Sequence, residues 1–133
     1  MMSTVFVNFP VADVARSTEF YEKLGFEKNQ EYSNETTSSM VWDDHFWIML
    51  LPHDFYRKFI NGKEIIDAKT TSGTLIAISM DSADKVRAFA ETAKENGGSY
   101  YALDMGIPEE LMFSLEVQDL DGNMLEPVWM GDQ

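Results

Sequence analysis

Residues 5–11, with the sequence VFVNFPV, alternate in the way that is typical of a half-buried β-strand. Successive side chains of a strand point to opposite faces, so the alternation assigns each residue to one of two surfaces. The segment therefore predicts a strand with an apolar face and a mixed face. The first face holds Val5, Val7, Phe9 and Val11, and the second holds Phe6, Asn8 and Pro10.

The segment after this strand has the signals of a helix. Asp13 stands where an N-cap is expected, because its carboxylate can accept hydrogen bonds from the free amides of the first turn. Gly25 is placed to end the helix, since glycine readily adopts the left-handed conformation of a C-cap. The predicted buried stripe has helical spacing and consists of Ser17, Phe20, Tyr21 and Leu24.

The second half of the chain repeats this plan. TLIAISM at residues 74–80 predicts a strand, and residues 82–98 predict a capped helix that ends at Gly97. A shift of 69 residues superposes the two halves without a gap over the strand, the helix cap and most of the helix. The shift places Phe6 on Leu75, Val11 on Met80, Asp13 on Ser82 and Phe20 on Phe89.

Three further strands are predicted in each half. They are FEKNQEYS, TTSSMVW and HFWIMLL in the first half, and GSYYALD, LMFSLEVQ and NMLEPVWM in the second, where Asp121-Gly122 is a hairpin signal. The chain is thus predicted to be one α+β domain, residues 1–133, built as β-α-β-β-β twice. Module 1 covers about 4–51, module 2 covers about 74–130, and a connector covers about 52–73. In the connector, Phe55 and Phe59 predict a short amphipathic helix that packs on the sheet.

Composition excludes several classes of function. The 10 basic and 23 acidic residues give a formal charge of −13, which disfavours nucleic acid and anionic membrane surfaces as partners. No apolar run reaches the ~20 residues of a membrane span, and the start MMSTVFVNFP does not resemble a signal peptide. A cytoplasmic location is expected. The chain has no cysteine, so disulfides, thiolate metal sites and cysteine nucleophiles are excluded.

Two stretches, VNFPVADVARSTEFYEKLGF and DLDGNMLEPVWM, resemble the opening and closing patterns of the vicinal oxygen chelate superfamily. This superfamily contains glyoxalases, bleomycin-resistance proteins, fosfomycin-resistance enzymes and extradiol dioxygenases. EIIDAKTTS before TLIAISMDSADKV looks most like the branch of predicted lactoylglutathione lyases. The resemblance implies two tandem βαβββ modules that form a curved mixed sheet with helices on its outer face. It also implies a divalent metal in a concave cleft, and a homodimer.

The four metal-ligand positions of the superfamily map onto largely apolar residues here. The first is Phe6, the second is Met49 or Leu51 depending on the alignment, and the third is Leu75. Only Glu126, at the fourth position, can bind a hard cation. Since catalytic metal sites usually have three protein ligands, a site for Zn, Ni, Mn or Fe is disfavoured and no cofactor is expected. A site built from Glu126 and His53 is the disfavoured alternative.

Strand alternation applied to the implied curved sheet predicts a pocket that is apolar except for one acid and one amide. This composition is typical of a small-molecule site. Glu126 either contacts a basic or hydroxyl-bearing ligand, acts as a general base if its pKa is raised toward neutrality, or is tied to Asn8 or a backbone amide. The predicted ligand-binding residues are Phe6, Asn8, Trp47, Met49, Leu51, Leu75, Ala77, Met124, Glu126 and Val128.

Three functions are compatible with these residues. The first is metal-free binding of a small, largely apolar molecule, as in the bleomycin-resistance members of the superfamily. The second is a metal-dependent lyase, thiol transferase or dioxygenase that uses Glu126. The third is a docking module whose pocket has lost its role. The apolar pocket and the missing ligands favour the first.

Overall fold

The computed structural model describes residues 2–131, and the chain divides into two compact units, residues 1–66 and 67–133. Each unit contains one of the predicted modules and has its own mixed sheet. The predicted α+β class and the two βαβββ modules are confirmed. No helix within residues 2–131 is long and apolar enough to cross a membrane.

Unit 1 contains a four-stranded sheet with the order β1-β4-β3-β2. Strand β1 is parallel to β4, whereas the other neighbours are antiparallel. The parallel pair follows from the topology, because helix α1 and the two-strand meander carry the chain back to the same end of the sheet. The elements are β1 (Val5–Val11), α1 (Val14–Leu24), β2 (Glu27–Lys28), β3 (Ser38–Asp43), β4 (Phe46–Pro52) and α2 (His53–Arg57).

Unit 2 contains a five-stranded sheet with the order β5-β9-β8-β6, and β7 also pairs with β9. The pairing of β7 and β8 with β9 keeps one register, interrupted at Leu115. Pro127 lies opposite the interruption and has no N–H to donate, so a ladder bond is missing there. The elements are β5 (Leu75–Ser79), α3 (Ala83–Glu95), β6 (Ser99–Tyr101), β7 (Met112–Ser114), β8 (Glu116–Gln118) and β9 (Met124–Met130).

Both predicted helix caps are present. The Asp13 carboxylate accepts from the Arg16 amide at 3.1 Å, and the Ser82 hydroxyl accepts from the Lys85 amide at 3.1 Å. Gly25 has φ 111°, a left-handed conformation that ends α1. The two modules therefore begin their helices with the same type of cap.

One face of each sheet is covered by its helix, and this face holds the core. Helix α1 lies against β3 and β4, and α3 lies against β6, β8 and β9. The opposite face of each sheet keeps large exposed side chains, including Phe6 and Leu75. The stripe predicted for α1 is buried, and the buried strand residues alternate along their strands: Phe9, Val11, Ile48, Leu50, Ile78 and Leu125.

Several predicted elements differ from the structure. The strand predicted for LMFSLEVQ is divided into β7 and β8, and the one predicted for GSYYALD is confined to Ser99–Tyr101. The strand predicted for FEKNQEYS is confined to Glu27–Lys28, because the Asn29 side chain accepts from the Tyr32 amide at 3.0 Å and starts a turn. In the connector, the rings of Phe55 and Phe59 contact each other at 5.3 Å, and Phe59 remains 67% exposed. The prediction that both rings pack on the sheet is therefore wrong for Phe59, which lies beyond the end of α2.

Candidate functional site

The open face of the unit 1 sheet carries an aromatic row. The strand register aligns Phe6, Trp47, Val41 and Glu27 across four neighbouring strands, so their side chains point to the same face. The Phe6 and Trp47 rings meet edge to face with centroids 5.3 Å apart. Tyr32 adds a third ring 5.8 Å from Trp47. The row gives the face rigid apolar surface.

A cavity of about 360 Å³ lies over this row. Five of its eight lining residues are polar or charged, and the other three are the apolar members of the row. Two predicted ligand-binding residues, Phe6 and Trp47, contribute to its wall. The lining residues are Thr4, Phe6, Glu27, Lys28, Asn29, Val41, Asp44 and Trp47.

The other predicted site residues of unit 1 lie farther along the same strands. Asn8 is exposed and pairs in register with Met49, which is half-buried. The Asn8 side-chain amide donates to the Phe6 carbonyl at 3.5 Å. Leu51 is only 4% exposed and so offers little surface to a ligand.

The registers of the two modules decide which residue of module 1 corresponds to Glu126. Phe6 pairs with Trp47 in module 1, and Leu75, which is 69 positions after Phe6, pairs with Met124 in module 2. Trp47 therefore corresponds to Met124, and two residues later Met49 corresponds to Glu126. The alternative alignment, which matched Leu51 with Glu126, does not agree with the strand pairing.

In unit 2, Glu126 has a second acid beside it. Strands β8 and β9 pair Val117 with Leu125, and the same register places Glu116 directly opposite Glu126. Ala77 pairs with Glu126 on the other side, and Tyr101 pairs with Glu116. Cross-strand partners share a face, so these four side chains form one row on the open face of the sheet. We call Glu116 and Glu126 the carboxyl pair.

The hairpin between β8 and β9 sets this register. The Asp119 carboxylate accepts from the amides of Asp121 and Asn123 at 2.9 Å, and from the Asn123 side-chain amide at 3.0 Å. Gly122 has φ 92°, as the predicted Asp-Gly turn requires. The turn thereby brings two acids, far apart along the hairpin, into direct cross-strand contact.

The environment of Glu116 disfavours its charge. Glu116 is 4% exposed. Burial raises the pKa of Glu116 to about 8, and a hydrogen bond with Glu126 and the negative charge of Glu126 act in the same direction. At neutral pH the Glu116 carboxyl therefore keeps a proton that it can donate to Glu126. Its Oε2 atom is buried and has no hydrogen-bond partner.

The residues at the superfamily's ligand positions do not fit a complete metal centre. Phe6, Met49 and Leu75 supply no donor atom for a hard cation. Within residues 2–131, no group of three or more histidine, cysteine, aspartate or glutamate side chains is placed to hold a metal ion. His53 begins α2 and is half-buried. The geometry therefore supports no step that runs through a bound metal.

Glu116 and Tyr101 are not among the site residues predicted from the sequence. A signal for Glu116 was present, because Glu116 and Glu126 are each five residues from Asp121, the predicted turn. A symmetric hairpin about that residue pairs the two acids. No comparable local signal identified Tyr101, because its pairing with Glu116 depends on a strand that is distant in sequence.

Comparisons with known proteins agree with this architecture. Residues 4–35 match the family profile described as Bleomycin resistance protein-like N-terminal. No curated protein gives a significant sequence match. Among solved structures, the chain is similar to a glyoxalase/bleomycin resistance protein/dioxygenase family enzyme from Burkholderia phytofirmans. The identity is 14% and the TM-score 0.77, covering 94% of this chain and 96% of the other.

Two similar structures have names that refer to antibiotics. One is the bleomycin-binding protein of Streptomyces verticillus in complex with copper(II)-bleomycin, with 15% identity, a TM-score of 0.60, and coverage of 100% and 98% of the two chains. The other is the fosfomycin resistance protein FosX of Mesorhizobium loti, with 17% identity, a TM-score of 0.63, and coverage of 100% and 94%. The chain thus has the glyoxalase/bleomycin resistance/dioxygenase fold of the vicinal oxygen chelate superfamily, with a bleomycin resistance protein-like N-terminal segment.

Proposed function

We propose that this protein binds a small, largely apolar molecule on the open sheet faces and does so without a complete metal site. The observation that carries the proposal is the register of the two modules. It gives Glu126 an apolar counterpart, Met49, and it places Phe6 and Leu75 at the two other corresponding positions. Where the superfamily's ligands are expected, the chain has apolar surface.

The exposure of these side chains supports the proposal. Phe6 is 51% exposed and Leu75 is 49% exposed, although both lie in a strand rather than on a loop. Exposed apolar side chains on a sheet face provide the driving force for binding apolar molecules. The cavity of about 360 Å³ beside Phe6 and Trp47 has the size of a small-molecule pocket.

The bleomycin-binding protein and the fosfomycin resistance protein, which have the same fold, support the proposal because their names refer to small molecules. The homodimer and the cytoplasmic location expected from the sequence remain predictions, and light scattering tests the first of them. The branch-level resemblance to predicted lactoylglutathione lyases is likewise a prediction. It would be supported by turnover of a glutathione adduct.

Thermal unfolding in the presence of a compound library tests the proposed function. Compounds that bind are expected to raise the melting temperature equally with and without EDTA, because no metal takes part. Glu126→Gln should reduce the shift, whereas Glu64→Gln, the same change at an exposed connector residue, should leave it unchanged. A library that produces no shift would count against the proposal.

A divalent-metal-dependent lyase, thiol transferase or dioxygenase that uses Glu126 is the alternative. One specific observation favours it: Glu116 places a second carboxyl group beside that of Glu126. Stoichiometric metal in protein purified without an affinity tag, together with activity that chelation removes, would replace the proposal by this alternative.

A further inference from the structure

Glu116 has a buried oxygen with no hydrogen-bond partner. The residue is 4% exposed, and its Oε2 atom accepts from no group of the protein. A buried polar atom without a partner costs about 1–3 kcal/mol, so such atoms are rare in proteins unless a bound molecule or water supplies the missing bond. The atom belongs to the carboxyl pair, on the face that is not covered by a helix.

The surroundings of the carboxyl pair define what can bind there. Glu126 lies opposite Glu116 and supplies further acceptor oxygens. Tyr101, next in the row, is 42% exposed and adds an aromatic ring. On the other side, Ala77 is exposed and apolar. The row therefore combines acceptors and negative charge with flanking apolar and aromatic surface.

We propose that the carboxyl pair of Glu116 and Glu126 binds the protonated nitrogen of an organic cation, an amine or an amidine, through N–H donors directed at the carboxyl oxygens. This inference rests on the proposed function and specifies its ligand class. The apolar body of the ligand lies on the flanking surface of the same sheet.

The chemistry favours an organic cation over the other partners of a carboxyl pair. A neutral hydroxyl compound offers one donor and no charge, whereas an ammonium group offers three donors and forms the stronger, charge-assisted bonds. A divalent metal needs more ligands than two carboxyls supply, and Ala77 and Tyr101 beside them carry no carboxylate or imidazole. The tyrosine ring also attracts cations.

The net charge of the chain acts in the same direction. A formal charge of −13 on 133 residues attracts cations and repels anions over the length scale of the protein. This field raises the association rate of cationic ligands and falls with ionic strength. The long-range field and the local acceptors thus select the same class of ligand.

Three probes of matched shape test the inference by calorimetric titration of the full chain in EDTA. They are phenethylamine, its N,N,N-trimethyl derivative and 2-phenylethanol. The first has charge and N–H donors, the second has charge alone, and the third has neither. Phenethylamine is expected to bind at least tenfold more tightly than the other two, because it alone combines a positive charge with N–H donors, whereas the hydroxyl of 2-phenylethanol offers one uncharged donor and the trimethyl derivative offers none.

The Glu116→Gln and Glu126→Gln variants keep the side-chain shape and replace one carboxyl each. Each is expected to lower the affinity for phenethylamine at least fivefold and to leave the binding of 2-phenylethanol unchanged. Glu64→Gln makes the same substitution at an exposed residue outside the row and should keep the affinity of the unmodified protein within twofold. Circular dichroism checks that the variants are folded.

Three results would overturn the inference. They are equal affinity for all three probes, an amine preference that survives in both glutamine variants, and no binding of any probe. Stoichiometric zinc or manganese that phenethylamine displaces would assign the carboxyl pair to a metal instead. The proposed function is judged separately, since library compounds that bind in EDTA without any preference for amines would support it while contradicting the inference.

Discussion

Met49 in β4 and Glu126 in β9 occupy the same register position in the two modules, so a thioether stands in one module where a carboxyl stands in the other. Their neighbours on the third strand differ in the same way. Met49 pairs with Ser39, which is buried and donates to the Tyr32 carbonyl, whereas Glu126 lies opposite Glu116. The acidic site is therefore a property of module 2 alone.

Met49→Glu would give module 1 a carboxyl at this position. We expect the variant to lose ~1–2 kcal/mol of unfolding free energy, because the position is half-buried and its cross-strand partners, Asn8 and Ser39, carry no charge that could pair with the new carboxylate. It should also abolish the melting-temperature shift produced by apolar library compounds. Met49→Gln, which is polar but uncharged, serves as the control and should weaken the shift less. Undiminished binding by Met49→Glu would show that this position does not contact the ligand.

The raised pKa of Glu116 predicts a pH-dependent stability. Because the folded pKa is about 8 and the ordinary value is 4.5, the folded chain holds a proton that the unfolded chain has released between these values. This contribution is complete below pH 4.5 and is lost as the pH rises through 8. We expect urea unfolding at pH 5 and pH 8 to differ by on the order of 2–4 kcal/mol from this group.

Glu116→Gln isolates the group, since an amide cannot titrate. The variant should lose less stability than the unmodified chain between pH 5 and pH 8. The titratable residues that face Glu116 are Glu126 from β9 and Tyr101 from β6. Glu91 of α3 does not face Glu116. It accepts a hydrogen bond from Tyr100, which pairs with Val117 and therefore points to the other face of the sheet. Equal pH dependence of variant and parent would contradict the assignment.

Gly122→Ala is expected to destabilise unit 2 for two reasons. The residue has φ 92°, and an added Cβ would lie 2.7 Å from the Ala68 carbonyl carbon and the Lys69 nitrogen, both backbone atoms. We expect a loss of ~3 kcal/mol or more in the free energy of unfolding. Gly106→Ala is the matched control, because it has φ 73° but nothing within 4 Å, and it should cost only ~1 kcal/mol. Similar losses in both variants would show that the contact with residues 68 and 69 does not matter.

Asp119→Ala should weaken the hairpin that sets the carboxyl pair. Asp119 is 5% exposed and accepts three hydrogen bonds, so its loss leaves buried amides without partners and is expected to cost ~2–3 kcal/mol. Asp119→Asn keeps one acceptor oxygen and should cost less. Asp104→Ala removes a similar turn bond at an exposed site and should cost under ~1 kcal/mol. The measurement is urea unfolding. A loss of unfolding free energy in Asp119→Ala close to that in Asp104→Ala would show that Asp119 does not stabilise the hairpin.

Local signals explain what could be predicted from the sequence. The caps at Asp13 and Ser82 and the alternation within each strand depend on residues a few positions apart, and the structure has them. The internal repeat extended these signals to the whole fold. The strand after Gly25 is shorter than predicted, because the Asn29 side chain bonds the Tyr32 amide and starts a turn where the strand hydrogen bonds would continue.

Nonlocal pairing explains what was missed. The choice between Met49 and Leu51 depends on the register of β1 with β4, and the row from Ala77 to Tyr101 depends on three strand pairs. Spacing along the chain contains little of this information. The Oε2 atom of Glu116 could not be predicted either, because whether one atom is buried and lacks a hydrogen-bond partner depends on the packing of the complete unit.

The packing of Gly122 under the backbone of Ala68 and Lys69 has a dynamic consequence. Hairpin tips are normally the first part of a sheet to open, and their amides exchange with solvent rapidly. Here Gly122 and Asn123 of the tip are buried, and the backbone of residues 68 and 69, in the segment that leads into β5, lies against Gly122. Cleavage of the chain near residue 68 is therefore expected to let the tip open and to speed amide exchange at residues 119–123, which begin and end three residues from the two acids that this turn holds together.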